Sequence, residues 1–422
     1  MKKKFKVKNS RLGESPGATK LKILVFIFSF LIINFSLLTP SHSKVYIDIT
    51  SPAFRKLPLS ISYFGPEETK EIAEIVKNDL DFTGIFYPID PDLPGVEINV
   101  RINARISEKI KADVLVFDLI ANREILIKSY AAPKKILRAL AHSISNDIFR
   151  VVTGKKGMFR TKISYVRSSS SKKWLYLADW DGYSPVRIVS KGLSLSHSWS
   201  SDGLHIIYSS ERKKQWSIYS LNLKNYKETV LFLSRGLNLV GGVSPDNRIA
   251  FSSSKDGSPE IYVMNMKGRG IRKLTKSFGI DVSPVFSPDG SRIAFVSDRG
   301  GSPQIYIMDA YGRRTRRLTF QGSYNTSPAW SPDGKWIAYV GRKYGKNHIF
   351  MIKSDSTELR QLTEEGNNEN PTFSPDGIFI AFDSDRKGNK GIYIININDG
   401  RQRKITPKGV KAMHPKWSPY FK

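Results

Sequence analysis

The chain has 422 residues, 40% of them hydrophobic and 11% aromatic, which is enough to bury a substantial core in more than one domain and excludes a disordered protein. It has no cysteine, so disulfides, thiolate metal sites and a cysteine nucleophile are ruled out. The formal net charge of +29 suits anionic neighbours, although part of it lies in an N-terminal segment that reads as removable.

That segment comes first. Residues 1–22 carry eight Lys/Arg and one Glu, and sixteen mostly apolar residues follow from Ile23 to Leu38. The order is that of a charged n-region and an h-region, and the apolar run is shorter than the roughly 20 residues that span a bilayer. Ser41-His42-Ser43 supplies a small-x-small cleavage pattern, so residues 1–43 are expected to form a signal peptide cut after Ser43, with an uncleaved anchor as the alternative. Its removal takes away a net +7 and leaves +22, with no transmembrane span in what remains. The remaining Lys/Arg are dispersed and match no nucleic-acid motif, so nucleic acid is not an expected partner.

Residues 44–156 alternate strands and helices. Val45–Ile49 and Leu57–Phe64 read as strands, and Pro66-Glu67-Glu68 opens a helix with Ile72, Ile75, Val76 and Leu80 on one face, ending near Gly84. Strands near 97–105, 114–119 and 124–129 follow. A helix over 133–152 then carries Ile136, Leu140, Ile144 and Ile148 on one face, and Gly154-Lys155-Lys156-Gly157 marks a boundary. This pattern is a small α/β domain.

A repeat dominates residues 157–422. Its aspartates stand at Asp202, Asp246, Asp289, Asp333 and Asp376, spaced by 44, 43, 44 and 43 residues, and a sixth start at Trp417-Ser418-Pro419-Tyr420 comes last. A period in the low forties is that of a four-stranded propeller blade. Within it, Ser-Pro-Asp-Gly is a type I turn, and apolar runs such as Ile293–Val296 and Ile305–Met308 are strands packed on both faces. The sixth start supplies only an inner strand. Three strands upstream of the first repeat, at 163–166, 174–177 and 187–189, lack one, so the fold class is an α/β N-terminal domain followed by an all-β six-bladed propeller closed by the C-terminal strand, which removes a free edge.

Residues 141–149 and 153–166 (TGKKGMFRTKISYV), the string DWDGYSP at 179–185, the tandem SPDG turns and the terminal WSPYF together resemble the TolB family of the Tol-Pal envelope system. The SPDG motif alone is weak, since prolyl-peptidase propellers share it; the domain junction is the specific part. Residues 90–111 depart from the family pattern, and Gly241-Gly242 stands where other blades place a proline before the inner strand. The resemblance implies a periplasmic protein without enzymatic activity or cofactor, supporting outer-membrane integrity and invagination during cell division. Its implied partners are the lipoprotein Pal, bound by a propeller face, and TolA, engaged by a mobile strand at Val45, Tyr46, Ile47, Asp48 and Ile49, with other outer-membrane or peptidoglycan-associated proteins as further candidates. For Tyr46–Ile49 an ordinary strand of the α/β domain is the competing reading.

Catalysis finds little support in the residues. There is no Gly-x-Ser-x-Gly elbow, no phosphate loop, and the six histidines never form an i, i+4 pair, so no catalytic, cofactor or metal residue is assigned. Asp179-Trp180-Asp181-Gly182 has part of a calcium-loop pattern and reads as a hairpin turn. The rival class is a periplasmic propeller enzyme, lyase or peptidase-like, acting at the tunnel.

One residue per blade lies three positions before the motif's aromatic or Val: Ser196, Val240, Ser283, Ser327, Asn370 and His414. Equivalent positions of a six-fold ring lie on one circle, expected here at one tunnel mouth and expected to receive Pal. Leu237, Leu239 and Val240 are its expected hydrophobic anchor, and Asp298 is expected on the opposite face.

Overall fold

The computed structural model describes residues 55–386, 388 and 390–421. Residues 1–43, with their expected cleavage site, and the expected TolA strand at Val45–Ile49 lie outside the described residues.

The N-terminal domain is a five-stranded sheet covered by two helices. Its strands are β1 (Leu57–Phe64), β2 (Phe86–Pro88), β3 (Ile98–Ile106), β4 (Ile110–Asp118) and β5 (Arg123–Ala132), in the order β2-β1-β3-β4-β5, and its helices are α1 (Glu71–Phe82) and α2 (Leu137–Thr153). Only the β1 pairings are parallel. In β3, Ile98, Val100, Ile102 and Ala104 alternate inward, and Ile110, Ala112, Val114 and Val116 do so in β4, the period-2 pattern of a sheet with one wet face. Helix α1 buries Ile72, Ile75, Val76 and Leu80 against the other, apolar face. Helix α2 buries Leu140, Ile144 and Ile148, but Ile136 does not join them: it sits in a 3-10 turn before the helix, 45% exposed, because Pro133 delays the first α-helical turn.

The propeller has six four-stranded antiparallel sheets. Blades 1 to 5 begin with the inner strands Leu193–Trp199, Asn238–Val243, Asp281–Phe286, Asn325–Trp330 and Asn368–Phe373. In blade 6 the inner strand Lys411–Trp417 pairs with Lys162–Ser169, which continues to Lys172–Asp179 and Val186–Val189. The inner strands of blades 3, 4 and 5 run down to a Ser-Pro-Asp-Gly turn, and those of blades 1, 2 and 6 to Ser-Ser-Asp-Gly, Ser-Pro-Asp-Asn and Ser-Pro-Tyr-Phe. In blade 3 the Gly290 amide donates to the Ser287 carbonyl, Gly290 has φ +71°, and the Ser287 hydroxyl donates to Asp289 Oδ1. These hydrogen bonds from Ser287 and Ser291 pull the Asp289 carboxyl down to about 2, so the recurring aspartate serves its own turn.

The N-terminal domain rests on the turn side of blades 5 and 6. Asn396 Nδ2 donates to the carbonyls of Phe82 and Thr83, 2.9 and 2.8 Å away, at the end of α1, where unpaired carbonyls need donors. Arg401 pairs with Asp81 at 2.8 Å. Trp180, fully buried in the Asp179–Tyr183 turn, packs among Phe82, Phe159 and Phe379, and the Arg403 guanidinium lies 4.3 Å above its ring. The string that looked like part of a calcium loop is thus a hairpin turn that also fastens two domains.

Beside Trp180, His142 on α2 shares hydrogen bonds with Asp79 (2.7 Å to Nδ1) and contacts Asp181 (3.5 Å from Nε2), and Arg138 reaches Asp181 at 2.6 Å. Burial opposes charge on the ring, yet Asp181 and Asp79 outweigh it and raise its pKa to about 9. Asp181, despite burial, is held near 2 by His142 and Arg138, whereas burial raises Asp79. A ring that keeps its proton to about 9 instead of 6.5 contributes stability that is complete below pH 6.5 and lost as the pH rises to 9. Calorimetry should therefore show His142→Gln less stable at pH 6.5, with the gap between the two chains closing towards pH 9; a gap constant with pH would show that the ring is neutral throughout.

Candidate functional site

The strand directions define two propeller faces. One carries the Ser-Pro-Asp-Gly turns and the N-terminal domain. On the other, each loop enters its inner strand, and there Ser196, Val240, Ser283, Ser327, Asn370 and His414 all line one cavity of about 300 Å³. The six-fold repeat therefore brings together residues up to 218 positions apart in the chain.

The local geometry comes from bulges. Ser283, Ser327, Asn370 and His414 have φ of 52 to 55°, and each precedes a proline. In each case the residue and its proline together face one residue of the adjacent strand, as Ser283 and Pro284 face Phe295 between the Val282–Val296 and Val285–Ala294 pairs. Proline suits this position because the inner strand's free edge borders the tunnel, and no amide is left without an acceptor. A left-handed non-glycine residue costs about 1 kcal/mol or more, and four such residues at one mouth mark a surface held in place by its surroundings. In blades 5 and 6 the holder is Asp383: its Oδ1 accepts from Asn370 Nδ2 at 2.8 Å and from the His414 amide at 3.0 Å, and its Oδ2 pairs with Lys390 at 2.8 Å.

Blade 2 solves the same problem with glycine. Its extra residue is Gly241, where a Cβ would lie 2.0 Å from the Pro284 carbonyl of blade 3, so the absent proline reflects the close approach of the neighbouring blade.

Two sequence expectations need correction. Val240 touches the cavity but is only 5% exposed and packs between blades with Ile207, Ile249 and Phe251, so little of its surface is free for a partner. Of the expected anchor, Leu239 lines the cavity, whereas Leu237 stands outside its lining, 40% exposed. Asp298 is not on the opposite face: its Oδ1 accepts from the Ile280 amide, because a second strand returning from the turn must end beside the loop that starts the first.

Spacing also missed the largest exposed side chains of this face. Phe278 is fully exposed, Phe320 is 69% exposed and Tyr344 is 93% exposed, in loops or hairpins on the mouth side. The first two fall one and two residues before the loop glycines Gly279 and Gly322, so an aromatic in a loop just ahead of the inner strand was the available signal.

A model of the TolB beta-propeller domain matches residues 149–421, and one of the TolB amino-terminal domain matches residues 45–123. The chain belongs to the TolB family. A Tol-Pal system protein TolB of Desulfosudis oleivorans is 35% identical over 268 residues, covering 56% of this chain and 61% of that one. The TolB of Anaeromyxobacter dehalogenans strain 2CP-1 is 34% identical over 279 residues, covering 58% and 63%. The chain thus spans about three fifths of the length of these relatives. The crystal structure of TolB from Acinetobacter baumannii superposes with a TM-score of 0.79 at 27% identity, covering 87% of this chain and 97% of that one. The TolB match covers both domains. Among the described residues no helix is long and apolar enough to cross a membrane, and no group of three His, Asp or Glu side chains is placed to hold a metal.

Proposed function

We propose that this TolB-family chain is a non-enzymatic interaction protein of the periplasm, with residues 1–43 as its leader, 44–156 and 157–422 as its domains, supporting outer-membrane integrity and invagination during division. The bulge-side mouth docks Pal, and Val45–Ile49 adds a strand to TolA. One observation carries the reading: the propeller face turned away from the N-terminal domain carries the exposed Phe278, Phe320 and Tyr344 as well as a concave mouth. Exposed aromatics on the face of a rigid concavity are what binding hot spots are made of, and exposing them without a partner is costly for solubility.

Calorimetry with Pal tests the face. Phe278→Ala with Phe320→Ala, or Ser283→Arg, is expected to weaken binding by about 1–3 kcal/mol. Tyr311→Ala, 66% exposed on a turn of the other face, should leave affinity unchanged. Loss confined to the Tyr311 variant would put Pal on the turn side. Removing residues 44–55 should abolish TolA binding and spare Pal; equal loss of both would mean misfolding.

A further inference from the structure

The tunnel has a cation at its waist. The residue immediately before the motif's aromatic or Val is Ser198, Gly242, Val285, Ala329 and Thr372 in blades 1 to 5, and Lys416 in blade 6. All six line the turn-side end of the tunnel, a space of about 420 Å³. Lys416 also lines the bulge-side cavity, so it stands where the two spaces meet. Neither lining contains a single Asp or Glu. Among the described residues no carboxylate pairs with Lys416, whereas Asp383 pairs with Lys390 at 2.8 Å.

Two further polar groups face the same space without a partner. His197, 1% exposed, lines the bulge-side cavity; its Nε2 lies 2.9 Å from the Ser164 hydroxyl, and its Nδ1 has no partner. The Ser196 hydroxyl, buried in the same lining, has none either. Burial and then the field of Lys416 drive the His197 pKa down to about 3, so that ring is neutral, and Lys416 is the one charge that the lining presents. The Ser164 hydroxyl donates to the Lys416 carbonyl at 3.2 Å and so accepts from His197 Nε2, which leaves Nδ1 unprotonated and Ser196 as the free donor. A desolvated ammonium with no counter-charge, beside an uncommitted hydroxyl, is an incomplete ion pair.

We propose that the tunnel is an anion site, in which Lys416 pairs with a carboxylate or phosphate group that also accepts from the Ser196 hydroxyl. A cation has no ligand there, because the lining offers no carboxylate. The inference stands on the tunnel alone and does not depend on which face docks Pal. The shared chemistry is one small oxyanion, carried either by an acidic side chain of a protein inserted through the mouth or by a free ion.

Calorimetry and NMR of the full chain with two probes test it: inorganic phosphate, and a blocked tripeptide with a central Glu, set against the same peptide with Gln. One-site binding of phosphate or of the Glu peptide is expected, weakened about tenfold or more in Lys416→Met and retained in Lys416→Arg, as for the loss of one charge-assisted contact. Ser196→Ala, which keeps the fold independent of the lysine, should weaken binding by a smaller factor. Tighter binding of the Glu peptide than of phosphate identifies a protein side chain as the source, and the reverse order a free ion. No binding of either probe, or equal binding by Lys416→Met and the unaltered chain, would overturn the proposal, and neither result bears on Pal affinity.

Discussion

A chain ending at Ala412 is expected to be unable to hold a closed ring: its propeller should unfold or aggregate where the full chain melts cooperatively. Removing Met413–Lys422 takes most of the inner strand from blade 6 and bares the edge of Lys162–Ser169, an open template for pairing with another molecule. The loss goes beyond ladder bonds. Trp417 is 6% exposed and donates through Nε1 to the Thr161 hydroxyl at 2.8 Å, Ser418 closes on the Lys162 carbonyl, and the Tyr420 hydroxyl donates to the Lys156 carbonyl at 2.8 Å. Across the blade boundary Trp199 Nε1 donates to the Lys416 carbonyl. Emptying a tryptophan site alone costs about 3–5 kcal/mol, against a total stability of about 5–15 kcal/mol for a domain. Thermal melting by circular dichroism decides it; a truncated chain that melts like the full one would mean that the other five blades hold the ring without its closure.

Trp180→Ala is expected to do comparable damage at a different place, the junction between domains. Trp180 is fully buried, its ring centroid lies 5.6 to 6.3 Å from those of Phe159, Phe379, Phe82 and His142, and the Arg403 guanidinium covers its face. Those partners come from α1, α2, the interdomain segment and blade 5, so one side chain ties four parts of the chain. Truncation leaves a cavity worth about 3–5 kcal/mol and strips Arg403, itself short of hydrogen-bond partners, of an aromatic face that stabilises its charge. Because the loss is at the junction, scanning calorimetry should show the unfolding split into two transitions, with the α/β domain melting first. A single transition at the original temperature would mean that the polar contacts of Asn396 and Arg401 suffice to couple the domains.

Local chemistry made much of this legible from the sequence. The SPDG turns repeat with the period of a four-stranded blade, the runs between them read as strands, and because the turn is built from its own residues, Ser287 bonding Asp289 within the same turn, tertiary context had little to override. The count of strands needed no contacts, and neither did the circle formed by Ser196, Val240, Ser283, Ser327, Asn370 and His414, since symmetry turns equal spacing into equal position. What a side chain does at its position is another matter, because burial depends on the neighbouring blade. Val240 looked like an anchor and is core; Gly241 looked like a departure from pattern and is the space Pro284 requires. Asp298 was put on the wrong face since antiparallel return, not distance along the chain, decides which loops meet. The clamp of His142, Asp79 and Asp181 joins groups from α1, α2 and a propeller turn, separated by up to 102 positions with no motif to announce them. Short-range order was written in residue types; pairing across the tunnel and between domains came only from the packing that excludes water around each charge.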